Sequence, residues 1–269
     1  MALACLIFTF VSCSAGEKTQ KVNINDRFDA ISVSSTVKVV YTVAPKTEVK
    51  IKADETIIDK VKIGVVKSGK SSVLNIATEN LDNFNGEIVV NVKAPAVHIV
   101  NVAGAADFSV NGSYAVSELA VNASGTADVR FHDVNASRVA VSTAGAADVK
   151  LGNVMAEQVA LNASGTGEVK VKLYQGNELA VNAAGAAEID IDNVAISALA
   201  VNTSGTSEVE IAGRASQIAL NAAGYSEIDL SKLSANIGHV HASDTAEIKC
   251  HVANLSQETT GSAKVRNIK

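Results

Sequence analysis

A glycine returns about every twenty residues through most of this chain. Gly104, Gly125, Gly145, Gly165, Gly185, Gly205 and Gly224 stand 21, 20, 20, 20, 20 and 19 residues apart, Asp244 takes the next place, and Gly261 closes the series. Self-similarity at such a period is the mark of a solenoid, in which each unit buries its apolar face only against its neighbours. A unit reads roughly L-A-V-N-A-S-G-T-A-E-V-K-V, followed by a variable turn. Apolar residues alternate within it: Leu119 and Val121, then Val129 and Phe131; Leu179 and Val181, then Ile189 and Ile191. A period of two means strands, whose side chains point to opposite faces in turn. A third apolar position recurs in the variable turn at Val134, Val154, Val194 and Leu233. Two strands and a third short inward face per unit predict one coil of a parallel β-helix. The leucine-rich frame is absent, and a repeat of about twenty is not a multiple of six as a left-handed hexapeptide helix requires. The expected fold is therefore all-β: a right-handed parallel β-helix with about 20 residues per coil.

Stacked coils place each residue about 4.8 Å above its counterpart. Asn101, Asn122, Asn162, Asn182, Asn202 and Asn221 then form one column, with Ser142 and His241 as substitutes. Stacked asparagine amides can hydrogen-bond along such a column. The glycine follows at a corner that needs positive φ or has no room for Cβ. The N-x-S-G motif is thus a structural device before it is a binding motif.

Residues 22–94 alternate without the glycine corner, as in "FDAISVSSTVKVVYTV" and "GEIVVNVKAP". They predict an irregular β region that covers the first open edge of a helix spanning residues 95–269, with polar "NLSQETTGSAKVRNIK" as the opposite cap. Aromatic residues are only 4% and tryptophan is absent, so the core is thin and built from small branched side chains. Net charge is −5 with no basic block, which excludes a nucleic-acid partner.

The chain opens with "MALACLIFTFVSC", an apolar segment ending in cysteine, followed by a polar linker at residues 14–21. This pattern is similar to a bacterial lipoprotein signal with Cys13 as the lipidated residue; an ordinary cleaved signal or a short buried segment is the alternative. No other run approaches the length of a membrane span, so membrane attachment is expected only through that lipid. Cys250 stands alone and reads as a small buried hydrophobe.

The opening Phe28-Asp29-Ala30-Ile31-Ser32-Val33, the later Val73-Leu74-Asn75-Ile76 and "EIVVNVKAP", and the serial SG or AG corners followed by small-small-acidic-Val/Ile resemble the bacterial auto-transporter adhesins with a head GIN domain. The resemblance covers about residues 22–269 and implies a β-helix in the cell envelope, on an outer-membrane-anchored lipoprotein. It carries no catalytic residues. A surface glycan or a protein is the expected partner.

The chemistry of the residues is consistent with a non-enzymatic binding or structural module. A carbohydrate-active β-helix, the alternative reading, needs an acid–base cluster that breaks the repeat; here the acids are themselves the repeat. His239 and His241 share one strand face, but no third metal ligand accompanies them. Tyr41, Tyr114, Tyr174 and Tyr225 are the tyrosines on which a sugar ring could stack, with Tyr225 expected to project at a corner. "DTA" at Asp244–Ala246 is similar to an O-glycosylation acceptor, although Asp244 already stands as a corner residue. The most distinctive surface is acidic: Glu188, Asp190, Glu208, Glu210, Glu227 and Asp229 crowd one strip where earlier coils carry Arg130, Lys150 and Lys170. Oxygen-rich clusters suit hard cations or a basic partner. The glycine-rich calcium repeat is absent, so only weak Ca²⁺ binding is expected there, and no other cofactor.

Overall fold

The computed structural model describes residues 7–9, 16–69, 71–79 and 86–268. Cys13, the expected lipidation site, lies outside the described residues. Strands make up 74% of the described residues, and they build a β-solenoid of about eight turns at about 20 residues each. Among the described residues the only helical element is a 3-10 turn at Ile58–Lys60.

The repeat folds as its alternation requires. Asp128–Gly145 and Asp148–Gly165 lie in parallel register, with Val129 on Val149, Phe131 on Leu151, Val139 on Val159 and Val141 on Leu161. Each of these side chains is buried, and the same columns continue through Ile189, Ile191, Leu199 and Val201 to Ile248 and Cys250. Small residues complete the interior: Ala123, Ala163, Ala183 and Ala222 before the corner, Ala127, Ala147 and Ala187 after it. Burying about 1.5–3 kcal/mol of side chain at each aliphatic position is the main favourable term of such a stack.

The corner glycines have positive φ, from +68° at Gly261 to +96° at Gly165, and Asp244 keeps the left-handed geometry at +60°. Aspartate tolerates that region better than most side chains, and its Oδ2 accepts a hydrogen bond from the Gly224 N–H at 3.1 Å. Unequal spacing between corners is absorbed in the variable turn. The register slips between Val110 and Ser113, between Ile191 and Val194, between Glu210 and Gly213, and between Leu230 and Ser234. Bulges on one side leave the glycine column aligned on the other.

The stack begins earlier than the glycine series suggests. Ala30–Val33 lies parallel on Ile99–Val102, and Lys38–Val43 provides four residues in parallel register with Asp107–Val110. Between these two segments Ser35 has φ +75°, and the Cβ position of Gly104 faces its backbone at 3.1 Å. Ser35 is therefore the first member of the corner column. The described residues between 44 and 98 then leave the stack and fold beneath it. Ser71–Thr78 and Val89–Ala94 add a parallel layer under residues 30–43. Antiparallel strands close the edges of that layer: Val61–Ser68 on the first, Glu48–Asp54 on the second, and Glu17–Val22 outside that. Switching from parallel to antiparallel pairing ends the solenoid and covers an edge that would otherwise invite aggregation.

A cluster of rings fills the turns beside this cap. Tyr41, Phe108, Tyr114 and Phe131 pack with centroids 5.2–6.2 Å apart. The Tyr114 hydroxyl accepts from Val97 N–H and donates to Val97 O, both at 2.8 Å, and Tyr41 donates to Pro95 O at 2.5 Å. These bonds hold the segment that returns the chain from the cap to the second turn.

Candidate functional site

The outward face of the 118–124 strand and its counterparts carries a concave surface. Leu119 and Val121 point inward, so Ala120 between them points out, and the same holds one turn on for Ala140, Ala160, Ala180, Ala200 and Ala219. Their methyl groups floor a groove of about 850 Å³ running along the stack from His98 to His239. On one side stands a polar wall. Arg138 Nε donates to Gln158 Oε1 and Gln158 Nε2 to Glu178 Oε2, each at 3.0 Å, while Glu118 lies 3.6 Å from Arg138 Nη1. The wall falls away at Ala198.

The asparagine column stands on the other side. Asn122 donates to Asn101 at 2.8 Å; Asn182, Asn202 and Asn221 each donate to the asparagine one turn earlier at 2.8, 3.0 and 2.8 Å. Ser142 stands between Asn122 and Asn162, where the shorter side chain divides the ladder in two. A second cavity of about 640 Å³ follows this ladder between Asn122 and Ser204. The arrangement offers an apolar floor one residue wide between two edges of hydrogen-bonding groups. The outward alanine of every L-A-V-N unit was the signal for this groove, but it reads equally as filler.

Tyrosine geometry removes most of the sugar-stacking candidates. Tyr41, Tyr114 and Tyr174 are fully buried, whereas Tyr225 is 76% exposed at its corner. Burial raises the Tyr174 hydroxyl to about 12, and the hydroxyl donates to Glu178 O at 2.8 Å. Cys250 is a buried thiol, pushed up by that burial. His239 and His241 are both exposed, with His241 Nδ1 3.7 Å from Glu258 Oε2. Thr245 donates to Gly224 O at 2.9 Å, as Thr206 does to Gly185 O at 3.2 Å, so the hydroxyl of the D-T-A triplet has the corner role common to the repeat.

The acidic strip lies on a different side of the coil. Glu188, Glu208 and Glu227 stack in one column, Asp190, Glu210 and Asp229 in the next. Lysines reach three of the six: Lys232 bonds Glu210 at 2.6 Å, and Lys249 lies 2.6 Å from Glu227 and 3.7 Å from Asp229. Partial burial, then Glu227 and Glu188, raises Glu208; partial burial, then Asp192 and Glu210, raises Asp190. Burial alone would raise Asp229 too, but hydrogen bonds from Ser231 and the nearby Lys249 outweigh it and hold that carboxyl low. Among the described residues no three His, Cys, Asp or Glu side chains converge in a metal-holding group.

A raised carboxylate contributes stability that is present below its unfolded pKa, near 4, and is lost as pH rises through the folded value. Glu208→Gln is therefore expected to raise the melting temperature at pH 7, by about 1 °C for so exposed a group, and to change nothing near pH 4. Thermal melts at both pH values, with and without calcium, check this. A calcium-dependent rise in the parent that the variant lacks would instead make the strip a cation site.

The described residues form a repetitive β-solenoid with a groove along one face, and no helix among them is long and apolar enough to cross a membrane. The chain belongs to the family described as "Putative auto-transporter adhesin, head GIN domain", whose profile matches residues 27–193 and 154–268. Adhesin is a non-enzymatic role, and the family suggests a protein of the cell envelope or surface. Solved structures share the fold. A "Putative lipid binding protein" from Parabacteroides distasonis is 17% identical over 95% of this chain and 98% of its own, with a TM-score of 0.68. A "putative adhesin" from Parabacteroides merdae is 20% identical over 95% and 97%, with a TM-score of 0.63. Another from Parabacteroides distasonis is 18% identical over 94% and 97%, at 0.64. No curated protein matches the chain.

Proposed function

We propose that this chain is a non-enzymatic binding module of the cell envelope, anchored in the outer membrane through lipid on Cys13, and that the alanine-floored groove is its binding face. The groove itself carries the reading: about 850 Å³ of continuous trough, apolar along its floor and edged by the Arg138–Gln158–Glu178 wall and the asparagine ladder. Apolar floor with polar edges is the common composition of a ligand site. The repeat supports an elongated ligand, because each turn offers the same groups again about 4.8 Å further on. A surface glycan or an extended protein segment has that form. An acyl chain is the second reading, favoured by the apolar floor and by the name of the lipid-binding neighbour.

The soluble chain from Ser14 onward, applied to an array of glycans, matrix proteins and acylated ligands, tests the binding role. Retention of one chemical class is expected, and silence across all three would overturn it. In the same cells, Cys13→Ala should move the full-length protein from the membrane fraction to the soluble fraction. Full membrane retention of that variant would remove the lipid anchor.

A further inference from the structure

A cationic cavity of about 450 Å³ lies on another side of the solenoid from the groove, and its lining holds Arg130, Lys150, Lys172 and His132 but no carboxylate. The repeat explains how it forms. Arg130, Lys150 and Lys170 stack in register, where the following turns place Asp190, Glu210 and Asp229. His132, Gly152 and Lys172 hold equivalent places beside them, each following the aligned Phe131, Leu151 and Val171. Gly152 leaves the middle of that column without a side chain, and a Cβ there would lie 2.0 Å from His132 O. The dip is therefore built into the backbone rather than left by a mobile side chain.

Carboxylates stand at its margins, Asp107 and Asp148 in the column of Asp128, and several of them are already engaged. Asp128 is paired with Arg130, Asp133 accepts from Asn153 at 2.7 Å and contacts His132 at 2.9 Å, and Glu168 lies 2.5 Å from Lys170 and 4.0 Å from Lys150. Arg130 spends one Nη on Asp128, and a guanidinium has further N–H donors to offer. Lysine and arginine heads from three successive turns, with the Asn111 amide beside them, supply more donors than the two oxygens of a carboxylate can accept. Such a set suits the three terminal oxygens and double charge of a phosphomonoester.

We propose that this pocket binds a phosphomonoester, presented either by a soluble phosphate ester or by a lipid headgroup. The site is separate from the alanine groove, so neither depends on the other. The column that carries Arg130, Lys150 and Lys170 turns acidic at Asp190, Glu210 and Asp229, so a phosphate group is favoured on the earlier turns over the later ones.

Inorganic phosphate titrated into the soluble chain at constant ionic strength reads the site, followed by amide chemical shifts. Saturable shifts around Lys150, Gly152 and Lys172 are expected. Lys150→Gln/Lys172→Gln, changes at one half-buried and one exposed lysine that leave the Arg130–Asp128 pair intact, should weaken that binding at least about tenfold without altering the melting curve. Phosphatidylcholine vesicles with and without phosphatidic acid then identify the source. Retention on the acidic vesicles, lost in the double variant, assigns a lipid headgroup; phosphate binding without vesicle retention assigns a soluble ester. A titration without saturation, or equal binding by parent and variant, would overturn the proposal.

Discussion

Val201→Asp is expected to cost about 4 kcal/mol or more and to lower the melting temperature by about 10 °C. Val201 is fully buried in the column between Val181 and Leu220, and among the described residues no buried cation could pair with a carboxylate there. An uncompensated charge in a core one side chain thick cannot reach water without separating the turns. Because each turn of a solenoid touches only its neighbours, the defect also uncouples the two halves of the stack. Asn182→Ala supplies the contrast. It breaks two amide–amide bonds, at 2.8 and 3.0 Å, but the column is exposed and water replaces them, so about 1 kcal/mol is expected. Thermal and urea melts of the two variants check the ratio. Losses of equal size would mean that the interior columns do not hold the stack.

Gly165→Ala is the second large effect. Its Cβ would lie 2.3 Å from Gly145 O, and the backbone already has φ +96°. The obstructing atom is a main-chain oxygen held in the corner ladder, where the Thr166 N–H donates to it at 2.7 Å. Neither partner can move without shifting a whole turn. About 3 kcal/mol is expected from clash and left-handed strain together. Gly69 provides the reference, with φ +62° and nothing within 4 Å of its Cβ position. Gly69→Ala should cost about 1 kcal/mol, the strain alone. Urea denaturation of the pair separates the two contributions, and similar losses would show that the corners are not packed backbone against backbone.

These contrasts also explain what could be read without coordinates. Gly104 to Gly224 announce themselves because a tight corner admits few residues other than glycine, and the alternation around Val121 or Val201 admits only strands. Ser35 hides because serine seldom takes positive φ, and because residues 44–98 separate its turn from the next. Without that corner the segment from Ala30 to Val43 reads as part of an irregular cap. Tyr41, Tyr114 and Tyr174 are opaque for another reason. A tyrosine serves a surface or an interior equally well, and only their hydroxyl bonds to Pro95, Val97 and Glu178 decide the matter. The groove is half legible. Its asparagine edge is written in every N-x-S-G corner, while its floor consists of alanines that any small-residue repeat would carry. The cationic pocket depends on Gly152, whose absent side chain has meaning only once His132 and Lys172 stand on either side.

The most direct test of the binding face is the Ala160→Phe/Ala180→Phe variant on the same array as the parent. Both alanines point outward, so the rings fill the trough without entering the core. The melting curve should match the parent, and the array signal should fall by at least about tenfold as the floor is blocked. An unchanged signal from a folded variant would contradict the groove as the binding face.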